Sequence, residues 1–173
     1  AGGRGRGAGR TLLARAGAAP VLVLVLALVP ALSLGTPWLA EVEQQSAVST
    51  WQADPANAFS KLDSAASLNP LSATPKLLAG SIALRLGRRA ESERYFREAL
   101  ARDPGDAYAH LELGALLAQR GRRGEAIATL ERARRLDPRD DLTAGVLKRV
   151  QQGKPVDIAG VNRQLAARSA KLR

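Results

Sequence analysis

The sequence predicts an all-α fold in which helical hairpins stack into a short solenoid. Residues 73–106 align with residues 107–140 after a shift of 34 positions, and Gly80 then aligns with Gly114. Within each unit, apolar residues recur at three- and four-residue spacing, which indicates two amphipathic helices. Asp-Pro pairs close both units, because the residue before a proline is disfavoured in a helix. Such hairpins stack because none of them buries its apolar face alone.

The N-terminal region predicts a membrane anchor. Residues 1–15 combine glycine with arginine and contain no acidic residue, a composition typical of disorder. Residues 16–40 carry no charge and are apolar on all sides, and as a helix they would span a hydrocarbon core of about 30 Å. Arginines precede this segment, whereas Glu41 and Glu43 follow it. The positive-inside rule therefore predicts a transmembrane helix with a cytoplasmic N-terminus. A cleaved signal peptide and a buried helix of a soluble protein are the alternatives.

A degenerate repeat separates the predicted anchor from the two clear repeats. Its second half aligns well at the same 34-residue offset, and Asp54-Pro55 gives a helix start. Its first half aligns weakly, with Ser46 at the glycine position, as is common for terminal repeats. After the third repeat, two helices interrupted at Pro155 are expected to cap the stack. The predicted order is a basic segment, a transmembrane helix, three repeats and two capping helices, at residues 1–15, 16–40, 39–72, 73–106, 107–140 and 141–173.

The clear repeats resemble the tetratricopeptide repeat (TPR) family. Leu113-Gly114 stands at that family's Leu-Gly pair, Ala126 at the small residue of the second helix, and Pro138 at the closing proline. The sequence departs from the family at the large aromatic of the first helix, where Lys76 and His110 stand. The resemblance implies a concave face, formed by the first helices of the pairs, that binds protein partners.

A partner-binding groove on that face is therefore expected. Chaperone-binding TPR proteins clamp a C-terminal carboxylate with lysine and asparagine there, whereas leucine, serine and alanine stand here. An apolar helix or extended segment of a protein or peptide partner suits this lining better, unless the C-terminal helix of the chain fills the groove itself. The candidate groove residues are Leu77, Leu78, Ser81, Leu84, Arg85, Tyr108, Leu111, Glu112, Ala115, Ala118 and Gln119.

No catalytic, cofactor-binding or metal-binding residues are predicted. The sequence has no cysteine and one histidine, His110, which is expected to be a packing residue. The arginines and glutamates of residues 88–102 alternate at helical spacing and indicate a solvated face with ion pairs. We therefore expect this segment not to be an enzyme.

Three functions remain. The first is a TPR interaction module anchored in a bacterial cytoplasmic membrane, with its repeats outside the cytoplasm. The second function rests on a resemblance of residues 20–140 to the C-terminal tail of actinobacterial polytopic proteins of the O-antigen ligase or polymerase family. The resemblance is carried mainly by ADPANAF and LNPLSATP. This resemblance implies a scaffolding tail of an enzyme that ligates or polymerises polysaccharide, and a fragment or processed chain is expected because methionine is absent. The third, favoured only by the net charge of +10, is a soluble nucleic-acid-associated protein. Specific nucleic-acid binding is not expected, because the predicted membrane topology and the ion pairs on the helices account for most of this charge.

Overall fold

The computed structural model describes residues 36–171, with side chains to residue 165, and every regular element in this part is an α-helix. Helix α1 spans residues 36–50. The helices that follow are α2 (Pro55–Leu68), α3 (Thr74–Arg85), α4 (Arg89–Arg102), α5 (Ala107–Gln119), α6 (Arg123–Leu136), α7 (Asp141–Gln151) and α8 (Ile158–Lys171). Helices α3 and α4 pack together as one hairpin and α5 and α6 as the next, and neighbouring hairpins stack. The prediction of an all-α solenoid is confirmed.

Small residues bring the paired helices together at one position of the repeat. A methyl group on Gly114 of α5 would lie 2.6 Å from Leu130 Cγ of α6, closer than real side chains approach. A methyl group on Gly80 of α3 would lie 3.0 Å from the Phe96 ring of α4. The glycine position that the two clear repeats share is therefore a close helix contact in both of them.

The turns repeat as well. Gly87 and Gly121 follow α3 and α5 with φ of 74° and 75°, a left-handed conformation that favours glycine. Asp54, Asp106 and Asp140 accept backbone hydrogen bonds at the starts of α2, α5 and α7. These caps satisfy amides that have no partner within their own helix.

Two buried apolar clusters form the core. The smaller one lies among α1 to α4 and includes Leu62 and Ile82. The larger one runs from α4 to α8 and contains Phe96, Leu116 and Val161. The two closing helices therefore extend the core of the repeats, as well as covering the end of the stack.

The predicted basic segment and residues 16–35 of the predicted transmembrane helix lie outside the described residues. Residues 36–40, also assigned to that helix, form the start of α1, where Ala40 is buried. Within residues 36–171, no helix combines the length and the apolar character that crossing a bilayer requires.

The prediction of a fully solvated charged face on α4 is wrong at one residue. Glu93 is only 2% exposed, and its carboxylate pairs with Arg97, Arg120 and Arg122. Because Arg120 and Arg122 belong to the turn after α5, these ion pairs connect the second helical pair to the third. The repeat spacing predicted that α4 has charged residues, but the approach of this turn buries one of them.

Candidate partner-binding groove

The predicted groove residues lie on two helices that differ in exposure. In α3 the candidates are half-buried or exposed: Leu77, Leu78, Ser81, Leu84 and Arg85. In α5 they range from buried (Leu111, Glu112, Ala115) through half-buried (Tyr108, Ala118) to exposed (Gln119). We name the accessible surface of α1 and α3 the open half of the groove, and the surface of α5 the closed half.

Helix α8 lies against the closed half. Its residues Ile158 and Val161 belong to the same buried cluster as Leu111 of α5. Gln119 Nε2 also donates to the Val156 carbonyl oxygen, just before α8, at 3.5 Å. The C-terminal helix therefore fills part of the groove, as the alternative drawn from the sequence anticipated, and α3 keeps accessible surface.

A hydroxyl pair joins the two halves. The Ser81 Oγ–H donates to the Leu77 carbonyl at 2.9 Å, and Ser81 Oγ lies 2.8 Å from the Tyr108 hydroxyl. With the serine proton engaged, the Tyr108 hydroxyl donates to Ser81 Oγ. Burial raises the pKa of the Tyr108 phenol, so this donor stays neutral throughout the physiological range. The pair fixes α3 against α5 at the floor of the groove.

Glu112 is the least satisfied side chain of the groove. It is 0% exposed, and neither of its carboxylate oxygens has a hydrogen-bond partner among the described residues. Burial raises the pKa of Glu112 to about 7, and the opposing effects of Arg85, Tyr108 and Asn162 compensate only in part. The Asn162 amide of α8 donates to the Ile158 carbonyl oxygen at 3.1 Å, within its own helix. At neutral pH, a carboxylate near its midpoint of titration is thus sealed under α8.

A cleft of ≈ 620 Å³ opens where α8 meets α3, at the boundary between the two halves. Leu84, Ile158 and Ala159 give it an apolar lining. The guanidinium carbon of Arg85, at its edge, lies 5.7 Å from the centre of the Trp51 ring. The further lining residues are Gly87, Arg89, Gln119, Asp157, Asn162 and Arg163.

The sequence-based site omitted two residues that lie near the groove. Trp51, in the turn just after α1, falls on Arg85 at the 34-residue offset and borders the open half. The offset alone predicts this position, but the weak first repeat concealed it. Asn162 of α8 faces Glu112 from outside the repeats, and the repeat pattern carries no information about it.

His110 contributes to a turn. Its Nε2 lies 3.1 Å from the Pro104 carbonyl oxygen, which places the ring against the loop before α5. Within residues 36–171, no three histidine or acidic side chains are grouped so that they could hold a metal ion.

Residues 77–141 match the tetratricopeptide repeat family. No curated protein matches the sequence. The TPR domain of OM64 from Arabidopsis has a similar structure, with 22% identity over 68% of this chain and 98% of that one and a TM-score of 0.60. The second TPR domain of human RPAP3, in complex with the HSP70 peptide SGPTIEEVD, has 16% identity over 68% and 98% and a TM-score of 0.61.

The type III secretion chaperone SycD of Yersinia enterocolitica, in complex with a peptide of the translocator YopD, is also similar in structure. It has 15% identity over 72% of this chain and 92% of that one, with a TM-score of 0.54. At these identities the likeness shows the fold: the described helical pairs form a TPR-like solenoid.

Proposed function

We propose that this chain is a peptide-binding TPR module whose open half takes a segment of a protein partner. One observation carries the proposal: half-buried Leu84 and exposed Arg85 line the same cleft, and the Arg85 guanidinium lies 5.7 Å from the ring of half-buried Trp51. Apolar grooves with a few polar groups at the edge suit apolar helices and extended segments. RPAP3 and SycD, which share the fold, are both in complex with peptides.

The chemistry of the open half favours a partner with apolar anchors. Leu77 and Leu84 pack on the buried cluster and still keep accessible surface, so an incoming apolar side chain would remove further area from water. Arg85, at the border, offers N–H donors to a carbonyl or carboxylate of the same segment. Apolar contact would supply affinity, and the guanidinium would set the register of the bound segment.

The proposal also places the module beside a bacterial cytoplasmic membrane, with the repeats outside the cytoplasm. Its support is the uncharged segment 16–40, with arginines before it and acids after it. The start of α1 adds exposed apolar side chains, with Trp38 66% and Leu39 45% exposed. The alternative is that the chain is the scaffolding tail of an O-antigen ligase-like membrane enzyme, which the resemblance of residues 20–140 favours.

A matched pair of double variants tests the binding surface. Leu84→Asp with Arg85→Glu changes the open half, whereas Ala128→Asp with Arg132→Glu makes the same kinds of change on the exposed side of α6. Partners are cross-linked in detergent-solubilised membranes and identified by mass spectrometry, and circular dichroism confirms that each variant is folded. We expect the groove variant to lose the partners that the α6 variant keeps. Retention of the same partners by both variants would show that the open half is not the binding surface.

A second measurement tests the anchor. The full chain should stay with the membrane fraction in high salt and in alkaline carbonate, because burial of an apolar helix is insensitive to ionic strength. Release of the chain by salt alone would contradict a transmembrane anchor. The outcome is independent of the groove variants.

A further inference from the structure

The closed half contains a polar group that α8 does not satisfy. Glu112 is completely buried, and among the described side chains none donates a hydrogen bond to its carboxylate. A buried carboxyl group without hydrogen bonds is costly, because it has given up its hydration without replacement. The α8 residue that faces it, Asn162, opposes the rise in the pKa of Glu112, but its amide donates to the Ile158 carbonyl oxygen and forms no hydrogen bond of ordinary geometry with the carboxylate. The Glu112 carboxylate is thus a hydrogen-bond acceptor without a donor, at an interface that is otherwise largely apolar.

The charged and titratable groups around Glu112 do not fill this need. Arg85 acts on it from α3, but its guanidinium lies over the Trp51 ring and forms no hydrogen bond with the carboxylate. Tyr108, on the same helix, opposes the rise in the pKa of Glu112, but its hydroxyl pairs with Ser81 Oγ at 2.8 Å and forms no hydrogen bond of ordinary geometry with the carboxylate. From α8, the facing group is the neutral amide of Asn162. A cation brought to the position of Asn162 would be the complementary group.

We propose that the closed half is a second recognition surface, and that its partner is an amphipathic helix that replaces α8 and brings a lysine or arginine to Glu112. The proposal deepens the proposed function, on which it rests, by naming the kind of segment that the α5 side of the same groove accepts. The partner helix would repeat the apolar spacing of Ile158, Val161 and Leu165, which pack on the larger cluster. At the position of Asn162 it would carry the cation.

The energetics favour the exchange. A buried ion pair normally gains little, because both charges must be dehydrated. Here Glu112 is already dehydrated under α8, so an incoming helix must dehydrate only its own cation. An ammonium or guanidinium then forms charge-assisted hydrogen bonds with two acceptor oxygens that are otherwise unused.

The geometry allows α8 to leave without unfolding the stack. Residues 152–157, which include Pro155, separate it from α7. Helix α7 keeps its own buried residues Val146 and Val150 in the larger cluster. Loss of α8 therefore exposes the apolar side of α5 and leaves the third helical pair and α7 in contact.

Synthetic peptides test the proposal. The probes are fluorescent peptides of residues 156–171 of this chain, either unchanged or with Asn162→Lys or Asn162→Leu, titrated onto the full chain in detergent by anisotropy. We expect the lysine peptide to bind roughly tenfold tighter than the other two. In a Glu112→Gln chain this advantage should disappear. In a Trp51→Ala chain, which changes the open half and keeps Leu84, Arg85 and Glu112, it should persist, so failure here is distinguishable from failure of the open half.

Variants of α8 test whether it is displaceable. Val161→Asp weakens its buried face, whereas Gln164→Asp places the same charge on its exposed side as a control. The first should raise the affinity for all three peptides, and the second should leave it unchanged.

Several outcomes would overturn the proposal. These are equal binding of the three peptides, no binding at all, or a lysine advantage that persists in the Glu112→Gln chain. Global unfolding of the Val161→Asp chain would show that α8 is an integral part of the core. A concentration-dependent dimer formed by exchange of α8 would show that a second copy, and not a separate cationic helix, is the occupant.

Discussion

The open and closed halves of the groove come from the same repeat, yet they offer different surfaces. The 34-residue offset places Leu77 on Leu111 and Ser81 on Ala115, but the α3 residues are half-buried whereas their α5 counterparts are buried. The difference arises from α8, which lies outside the repeats, packs on α5, and meets α3 only across the cleft at Leu84 and Arg85. Repetition thus determines which residues face the groove, and the closing segment determines which of them a partner can reach.

The same comparison explains the position of the unsatisfied acid. Leu78 and Glu112 occupy one position of the repeat, and Leu78 packs on the smaller apolar cluster between neighbouring repeats. Glu112 stands between Arg85 of the preceding repeat and Asn162 of α8. A polar residue at this position is therefore found where the stack ends and a helix of different sequence takes over.

The largest effect is expected from a substitution that forces α5, which carries the closed half, away from α6. Gly114→Leu should destabilise the chain by about 3 kcal/mol, because its side chain would overlap Leu130. Gly145→Leu is the control, since a methyl group on that helical glycine meets nothing within 4 Å. Urea unfolding measures both. Similar midpoints would mean that α5 and α6 are not in close contact at Gly114.

The next largest effect should be a pH dependence of the free energy of unfolding, which Glu112 causes in the closed half. The pKa of Glu112 is about 7 in the folded chain, against an ordinary value of 4.5. Between these values the unfolded chain releases the proton that the folded chain keeps, so stability falls as pH rises. The loss should approach about 3 kcal/mol above pH 7, as followed by urea unfolding from pH 4.5 to 7.5.

Two variants sharpen that measurement. Glu112→Gln should remove the pH dependence that Glu112 causes. Leu78→Glu in the Glu112→Gln background places a carboxyl group at the same repeat position of the half-buried α3 surface. It should restore much less pH dependence, because accessible surface keeps a carboxyl group hydrated. A slope as steep as that of the unchanged chain would refute the distinction between the halves.

A smaller effect is expected where the halves are joined. Ser81→Ala should cost about 1 kcal/mol, because it leaves the largely buried Tyr108 hydroxyl without its acceptor. Tyr108→Phe removes the other partner, so the double variant should cost less than the sum of the two single variants. Thermal and urea unfolding of the four proteins give the coupling. Strict additivity would mean that the hydroxyl pair contributes nothing across the groove.

The smallest effect is expected at the ion pairs of Glu93, which lie outside both halves of the groove. Arg120→Ala should change the free energy of unfolding by less than about 1 kcal/mol, because Glu93 keeps Arg97 and Arg122. Arg134→Ala, on the exposed side of α6, is the control. A loss several times larger than in the control would show that each of the three guanidinium groups is needed to bury Glu93.

Sequence reasoning reached the parts of the molecule that depend on local spacing. The shared glycine position and the helix start follow from residue type and period, as Gly114 and Asp54 illustrate. The burial of Glu93 and Glu112 did not follow, because each depends on a neighbour from another part of the chain. For Glu93 that neighbour is the turn after α5, and for Glu112 it is α8.

The position of α8 has a consequence for the order in which the molecule opens. In a simple stack each unit contacts only the units before and after it, and fraying proceeds inward from either end. Helix α5, however, contacts α4, α6, α7 and α8. Release of α8 alone leaves α5 in contact with α4, α6 and α7, so further opening from the C-terminal end requires several contacts to break together, whereas α1 and α2 can detach first. In native-state hydrogen exchange, the amides of α5 should exchange only through global unfolding, and those of α1 through local opening with a much smaller dependence on denaturant.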